Sequence, residues 1–364
     1  MEFINLKAQY KHYKAQIDTA IQAVLDSSQF IMGSAVADVE SSLAAYTDSK
    51  HAIACSSGTD ALILALLALE VKAGDEIITS PFSFIASVEA IMLLGAKPVF
   101  VDIDEKTYNL DSTKLAAALT PRTKAIIPVS IFGQMADMAS INAIALAHNI
   151  AVIEDGAQSF GASQMQNGKL VKSCNASPMA TTSFFPSKPL GCYGDGGAVF
   201  VSDDALAHKI RCLLNHGQTK RYEHSFIGLN ARLDALQAAV LSVKLKFLDD
   251  EIQKRQKIAQ IYNTSLKNVI TPFIAQGNIS AYAQYSIRAK NRSQLILSLE
   301  KAKIPYAVHY PIALHLQEVV CKQYQYKRGD FPISEMVCDE ILSLPFSPFL
   351  TDEEQARVIE VVNG

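Results

Sequence analysis

Lys188 is the residue in this chain best placed to act as a nucleophile. It lies between the aromatic pair Phe184 and Phe185 and a glycine-rich turn at Gly194–Gly197. Most lysines are solvated surface charges, but apolar neighbours would take this amine out of water and lower its pKa. The neutral amine would then be available for a Schiff base. We therefore expect the chemistry of the protein to be centred on Lys188.

Asp155 ends an apolar run, Ala151–Asp155, that is typical of a buried strand. In doubly wound sheets, ligands bind beyond the carboxyl ends of the strands. An aspartate at such a position can pair with a protonated pyridine nitrogen. The residue alone is equally compatible with an aspartate that only caps the next turn. Gln158, one turn later, could hydrogen-bond a phenolic oxygen of the same ligand.

Further stretches supply groups for an anion and for a flat ring. Gly58 and Thr59 open an apolar helix, so the Thr59 hydroxyl and the first free N–H groups could hold a phosphate dianion. The same pattern also serves a simple helix cap. Ser183 is a second candidate hydroxyl, and Phe84 could stack on a ring, although an aromatic in an apolar run is more often core. An amine, an acid and an anion cradle together indicate pyridoxal phosphate.

The scaffold for these groups is a regular alternation of strand and helix patterns after residue 50. Short β-branched runs that alternate with helices are typical of a mainly parallel sheet covered on both faces. The candidate strands are 51–55, 75–79, 97–102, 124–129 and 151–155, and the helical patterns lie near 59–70, 84–94, 112–119 and 137–148. Before them, residues 1–50 have the apolar periodicity of helical arms.

The pattern continues beyond the lysine and then changes in composition near residue 271. The predicted elements are a strand at 197–202, a helix at 205–214, one long helix or two in series at 232–266, a strand at 281–288 and a helix at 293–302. The last part of the chain is long enough for a small α+β domain. We predict a large domain at 1–248, with the helical arm at its N-terminus, and a small C-terminal domain at 249–364.

Composition argues against several classes of protein. The 364 residues are 49% hydrophobic and 19% charged, with a net charge of -3, which argues against disorder and against a nucleic-acid partner. The six cysteines include no C-x-x-C pair, which argues against a zinc site and a disulfide scaffold. The N-terminus lacks a signal-peptide pattern, and no apolar run reaches the ~18 residues of a membrane span. We expect a cytoplasmic protein without metal, nucleic-acid or membrane partners.

Taken together, the motifs resemble the DegT/DnrJ/EryC1/StrS family of sugar aminotransferases, within the fold-type I pyridoxal-phosphate enzymes. The resemblance covers nearly the whole chain. In order, its marks are Ser-Ser-Gly-Thr-Asp-Ala at 56–61, Pro81-x-Ser-Phe84, Gly95-Ala-Lys-Pro-Val-Phe-Val-Asp102, Glu154-Asp-x-Ala-Gln158, Ser183-Phe with Lys188, Gly194-Asp-Gly-Gly197 and Gly228-Leu-Asn-Ala-Arg-Leu-Asp234. The resemblance implies an α/β fold with a mainly parallel seven-stranded sheet and a small α+β C-terminal domain.

The resemblance also implies roles for the residues that would react with the cofactor. Lys188 would form the Schiff base with pyridoxal 5'-phosphate and move protons, and Asp155 would pair with the pyridinium nitrogen. Gln158 would contact the phenolic oxygen. Some relatives carry histidine in place of the lysine and act as dehydratases, so Lys188 argues against dehydration. Asp195 stands where the family more usually has glutamate, a change that we expect to be tolerated.

For cofactor binding, the resemblance implies a second group of contacts. Gly58, Thr59 and Ser183 would hold the phosphate, and Phe84 would stack on the ring. Asn230 matches an asparagine that reaches the phosphate of the neighbouring subunit, which implies a homodimer with shared active sites.

The stretch from Phe184 to Gly197 resembles enzymes that aminate a UDP-linked 3-keto-2-acetamido hexuronate for bacterial surface polysaccharide, as in lipopolysaccharide O-antigen. The implied reaction moves an amino group from L-glutamate, which leaves as 2-oxoglutarate, to C3 of that sugar. Two alternatives stay open: amination at C4 of a UDP- or dTDP-4-keto-sugar, and a sensor that binds pyridoxal phosphate without turnover.

Both substrates of the implied reaction carry a carboxylate, which needs a partner. Arginine suits bidentate binding of carboxylates, which makes Arg232 and Arg221 candidates, although surface pairing is the default for either. His309 and Tyr310 are further candidates for substrate binding because they lie in a family-like stretch that lines the site.

Overall fold

The computed structural model describes all 364 residues, and strands and helices alternate through most of them. The strands are β1 (His51–Cys55), β2 (Glu76–Thr79), β3 (Lys97–Phe100), β4 (Thr123–Ile127), β5 (Ala151–Asp155), β6 (Ser163–Gln166), β7 (Lys169–Lys172), β8 (Met179–Ser183), β9 (Gly197–Val201), β10 (Gln218–Lys220), β11 (Glu223–His224), β12 (Asn278–Ile279), β13 (Tyr285–Arg288) and β14 (Ile341–Leu344).

The helices begin with the predicted arm at the N-terminus, and none is long and apolar enough to cross a membrane. They are α1 (Leu6–Ser27), α2 (Ser34–Thr47), α3 (Gly58–Ala68), α4 (Ala86–Leu93), α5 (Ser112–Leu115), α6 (Met138–Ala147), α7 (Asp204–Leu213), α8 (Ala235–Lys244), α9 (Leu248–Ser265), α10 (Arg292–Lys301), α11 (Glu318–Tyr324), α12 (Pro332–Glu340) and α13 (Asp352–Asn363).

The main sheet has seven strands in the order β1-β9-β8-β5-β4-β2-β3. The strands from β8 to β3 pair in parallel, and β9 runs antiparallel to both of its neighbours, β8 and β1. The predicted α/β fold with a mainly parallel seven-stranded sheet is therefore confirmed. Because β5 and β8 are parallel neighbours, Asp155 and Ser183 end at the same edge of the sheet.

Alternating residues of the strands fill apolar cores on opposite faces of the sheet. Ala54 and Ile126 belong to one core cluster, whereas Ile53, Ala125 and Ile127 belong to the other. Full burial of an isoleucine side chain stabilises a fold by about 1.5–3 kcal/mol. This two-sided burial explains why the strands have short, nearly continuous apolar runs instead of alternating polar residues.

The structure contains strands that the sequence prediction missed, most of them polar. β8 is rich in threonine and was not predicted, and the small sheet β12-β6-β7 pairs mostly polar residues that give no apolar-run signal. The long helical pattern divides into α8 and α9 at a short 3-10 turn, Leu245–Phe247, which corresponds to two helices in series.

The C-terminal part of the chain has its own apolar core. Tyr262, Tyr285 and Phe346 are its large buried side chains. The N-terminal segment joins this core, because the Phe346 N–H donates to the Phe3 carbonyl at 3.1 Å. The domain boundary after residue 248 stays a prediction, since Leu248 at the start of α9 packs in the large core.

Glu154 anchors the end of β5 next to Asp155. It is fully buried and accepts hydrogen bonds from the Ser173 hydroxyl at 2.9 Å, the Cys174 N–H at 2.9 Å and the Ala176 N–H at 3.1 Å. Removing the carboxylate leaves the buried Cys174 and Ala176 N–H groups without an acceptor, and each such group costs roughly 1–3 kcal/mol. The Ser173 hydroxyl also loses a partner but keeps its contact with the Ser159 hydroxyl. We expect Glu154→Ala to lower the free energy of unfolding by about 3 kcal/mol or more in urea titrations. Glu154→Gln keeps one acceptor oxygen and should lose less; equal losses would contradict this anchoring.

Candidate active site

A cavity of about 480 Å³ opens beyond the carboxyl ends of β5 and β8, where residues of the large core meet the C-terminal part of the chain. It is lined by nine of the residues singled out in the sequence: Gly58, Thr59, Phe84, Asp155, Gln158, Ser183, Lys188, His309 and Tyr310. Asn230, Arg232 and Arg221 do not line it. The sheet thus brings together side chains that lie far apart in the sequence.

Lys188 lies in the loop between β8 and β9, and its side chain is only partly exposed, in the wall of the cavity. The Lys188 amine makes no hydrogen bond or ion pair within the chain, so it is available to a ligand in the cavity. Removal from water lowers the pKa of the Lys188 amine, and the negative charge of Asp155 opposes this effect. Burial therefore lowers the pKa of Lys188 in the direction that we expected from its sequence.

Two side chains of helix α8 make hydrogen bonds to the backbone of the loop that carries Lys188. The Gln237 amide oxygen accepts from the Tyr193 N–H at 2.9 Å, and the buried Lys244 ammonium donates to the Gly191 carbonyl. A side chain at Gly191 would place its Cβ 2.6 Å from the Pro186 carbonyl oxygen, so the tight loop depends on glycine there. These contacts fix the backbone that carries Lys188.

Asp155 is 6% exposed and faces the cavity from the end of β5. One of its oxygens accepts from the Ala157 N–H at 3.0 Å, which leaves the other oxygen without a partner in the chain. Burial raises the pKa of Asp155, while the Ala157 N–H and the positive charge of Lys188 act against the increase. A cationic N–H group in the cavity would further stabilise the ionised carboxylate.

The start of α3 provides donors for an anion. The Ser57 hydroxyl caps the helix by accepting from the Asp60 N–H at 3.0 Å, and the N–H groups of Gly58 and Thr59 have no partner in the chain. A Cβ at Gly58 would lie 2.6 Å from the Ser183 Cβ, so glycine permits the close approach of α3 to the end of β8. The two free N–H groups, the hydroxyls of Thr59 and Ser183 and the helix dipole together suit a phosphate dianion.

Gln158 and two aromatic side chains form another wall of the cavity. The Gln158 amide oxygen accepts from the Phe132 N–H at 2.8 Å, and its nitrogen donates to the Tyr310 hydroxyl at 3.3 Å. Burial raises the pKa of Tyr310 to about 12, so its hydroxyl stays protonated at neutral pH. Phe84 is 53% exposed, and its ring centroid lies 6.1 Å from that of Tyr310. The uncovered face of Phe84 suits a stacked flat ring.

Gln284 is a cavity residue that the sequence prediction missed. It precedes β13 and is 9% exposed, and its buried amide oxygen has no hydrogen-bond partner. The sequence has no local signal for it, because the stretch around it has only the character of a strand. Ser57, Ser87 and Asp195 also line the cavity without having been predicted to do so.

The three predicted residues outside the cavity lie on the segment between α7 and α8. Arg221 is exposed on the β10-β11 hairpin, and Asn230 is exposed and bridges Asn215 through the backbone. Arg232 donates to the Asn215 side-chain oxygen at 3.1 Å, while its buried Nε has no partner. Within one chain, these side chains do not complete the site.

The family model of the DegT/DnrJ/EryC1/StrS aminotransferase family matches residues 11–363. The chain belongs to this family. It is 52% identical to the UDP-2-acetamido-2-deoxy-3-oxo-D-glucuronate aminotransferase of Pseudomonas aeruginosa, over 99% of this chain and 98% of that protein.

Solved structures of family proteins agree with this result. DesV of S. venezuelae, in complex with a ketimine intermediate, is 36% identical, with a TM-score of 0.96 over 100% of this chain and 97% of that one. NtdA of Bacillus subtilis, with bound cofactor PMP, is 31% identical, with a TM-score of 0.88 over 96% and 80%.

The predicted family and cofactor are therefore confirmed, and the chain is an aminotransferase that uses pyridoxal 5'-phosphate. The donor set of the cavity fits this cofactor. The free N–H groups at the start of α3 suit its phosphate, the unpartnered Asp155 oxygen suits a protonated ring nitrogen, and the unpartnered Lys188 amine suits a Schiff base.

We expect Lys188→Ala to slow transamination by about 10³-fold or more, since it removes the amine that we predict to form the Schiff base and to transfer protons. The variant should also lack the visible absorption band of the lysine Schiff base. Lys246→Ala, at an exposed position on the turn after α8, is the matched control and should keep both. Undiminished turnover by Lys188→Ala would show that the reaction does not need this amine.

Gly58→Ala tests the phosphate site. The added Cβ would collide with Ser183 and separate α3 from the end of β8. We expect the affinity for pyridoxal phosphate, measured by fluorescence titration, to fall about tenfold or more. Affinity for pyridoxal, which has no phosphate, should change little. An equal loss for both compounds would argue against a phosphate site at Gly58.

Proposed function

We propose that the protein transfers an amino group from L-glutamate to C3 of UDP-2-acetamido-2-deoxy-3-keto-hexuronate. The observation that carries this proposal is the similarity along almost the entire length to the P. aeruginosa aminotransferase, whose name specifies the 3-oxo-glucuronate. The reactive pair Lys188 and Asp155 in one cavity supports turnover and argues against a sensor that only binds the cofactor.

When bound, pyridoxal phosphate withdraws electrons from the carbon that loses its proton. In the first half-reaction, Lys188 Nζ would take the α-proton of glutamate. Water would supply the keto oxygen of the departing 2-oxoglutarate, and the amino group would stay with the cofactor. In the second half-reaction, Lys188 Nζ delivers a proton to C3 of the sugar. The lowered pKa of Lys188 favours both roles, because the neutral, proton-accepting amine is more available than in a solvated lysine.

The remaining cavity residues would bind and orient the cofactor. Asp155 would keep the ring nitrogen protonated, and Gln158 would donate to the phenolic oxygen. The phosphate would lie between α3 and Ser183, and Phe84 would cover one face of the ring. Gly58 and Thr59 support the phosphate assignment because their N–H groups have no other partner.

A homodimer would complete the active site with the segment between α7 and α8. Tyr222 and Ile227 on this segment are 79% and 92% exposed, and exposed apolar side chains of this size commonly mark interfaces. We propose that Asn230 reaches the phosphate of the neighbouring subunit. Arg232 and Arg221 would recognise the substrate carboxylates, and His309 and Tyr310 would bind the sugar.

The proposed substrate places the reaction in the cytoplasm, in synthesis of a bacterial surface polysaccharide such as the lipopolysaccharide O-antigen. The predicted division into a domain at 1–248 and a domain at 249–364 is part of the same proposal. It would place the cofactor residues in the large domain and His309 and Tyr310 in the small one.

Mass spectrometry of the products from a panel of UDP- and dTDP-keto-sugars with glutamate tests the substrate. We expect a single amination at C3 of the UDP-3-keto-hexuronate. Amination of a 4-keto-sugar without activity on the uronate would replace the proposal with the C4 reaction. Binding of the cofactor without any amination of the panel would favour a sensor.

Mixing two inactive variants tests the shared active site. Lys188→Ala and Asn230→Ala should each be inactive or nearly so as homodimers. Random exchange of subunits gives heterodimers with one complete site, so about a quarter of the wild-type activity should return. If Asn230→Ala is inactive alone and mixing restores nothing, Asn230 does not act across a dimer.

A further inference from the structure

A buried pair of hydroxyls holds the ring of His309 in the wall of the cavity. His309 Nδ1 lies 2.9 Å from Ser343 Oγ, and Ser343 Oγ lies 2.8 Å from Ser286 Oγ. The two serines are directly opposite each other in the β13-β14 ladder and are 0% and 1% exposed. His309 Nε2 makes no hydrogen bond within the chain and is available to a ligand in the cavity.

The direction of the hydrogen bonds that join His309, Ser343 and Ser286 follows from the number of hydrogens that these groups carry. Each serine hydroxyl carries one hydrogen, and Ser286 Oγ contacts no polar group of the chain other than Ser343 Oγ. If Nδ1 carried the imidazole hydrogen, it would donate to Ser343 and Ser343 would donate to Ser286. The buried Ser286 hydrogen would then have no acceptor within the chain, and buried hydroxyls without a partner are rare in native proteins.

The opposite direction uses every hydrogen. Ser286 donates to Ser343, Ser343 donates to His309 Nδ1, and the imidazole hydrogen is on Nε2. Burial and the positive charge of Lys188 lower the pKa of His309, so the ring is neutral and has a single N–H. That N–H faces the cavity.

We propose that Ser343 and Ser286 are positioning residues that hold His309 as its Nε2–H tautomer, so that it donates a hydrogen bond to an oxygen of the keto-sugar. The identity of this ligand rests on the proposed function, whereas the tautomer does not. One consequence concerns the reaction. A neutral ring with its hydrogen on Nε2 cannot accept a proton there, so the base that takes the α-proton is Lys188 and not His309.

Nitrogen-15 NMR of the full-length holoenzyme with ring-labelled histidine measures the tautomer directly. The chain has eight histidines, and His309→Asn identifies the signals of His309 by their loss. We expect Nε2 to give the shift of a protonated ring nitrogen and Nδ1 that of an unprotonated one. The reverse assignment, or two protonated nitrogens, would overturn the proposal.

Kinetics of the Ser343→Ala variant test the consequence for the substrate. We expect the KM for the keto-sugar to rise about tenfold, with little change in the rate of the half-reaction with glutamate. The Nδ1 signal of His309 should shift in the same variant. Ser286→Ala retains the Ser343 hydroxyl and should give a smaller rise in KM together with a mixture of His309 tautomers.

Ser347→Ala is the matched control. Ser347 is 2% exposed in the same part of the chain, but its hydroxyl accepts from the Phe349 N–H and does not touch His309. An equal rise in KM for Ser347→Ala, or none for Ser343→Ala, would overturn the positioning role. If even the wild-type enzyme does not aminate the keto-sugar, the substrate assignment fails, and the tautomer is still decided by NMR.

Discussion

The site depends on the interaction between Lys188 and Asp155, which are both largely removed from water. Desolvation favours the neutral form of each, and their mutual attraction favours the charged form. Burial makes the neutral form of the Lys188 amine more available than in a solvated lysine, and Asp155 has one oxygen without a partner in the chain. Pyridoxal phosphate is the ligand whose groups match both.

The fold brings Lys188 and Asp155 together because separate elements end at the same edge of the sheet. Asp155 follows directly from the parallel pairing of β5 with β4 and β8, and the buried Glu154 fixes the end of the same strand. Lys188 is on a loop, and loops are mobile unless they are held. Gln237 and Lys244 of α8 bind this loop through its backbone, so the position of the reactive amine depends on a helix outside the cavity.

The sequence could predict those site residues that lie in a recognisable local sequence pattern, and it could not predict the others. Asp155 and Thr59 could be predicted because strand ends and helix starts have recognisable patterns, and Lys188 because its neighbours are apolar. Gln284, Ser286 and Ser343 could not. Gln284 lines the cavity, and Ser343 and Ser286 form hydrogen bonds that lead to His309 in its wall, only because the C-terminal part of the chain packs against the sheet. No short stretch of sequence carries a signal for that packing. Asn230 is the opposite case, since the family resemblance predicted its role, but its side chain lies outside the cavity of its own chain.

The proposed mechanism requires Lys188 and Asp155 together for removal of the α-proton of the amino donor, and exchange of that proton for deuterium measures this step. Exchange of the glutamate α-proton with solvent deuterium can be followed by NMR in the wild type and in Asp155→Asn, each saturated with cofactor. We predict exchange in the wild type and a rate at least about 100-fold lower in the variant, equivalent to about 2.7 kcal/mol in the activation free energy. Equal rates of exchange in the two proteins would contradict the account.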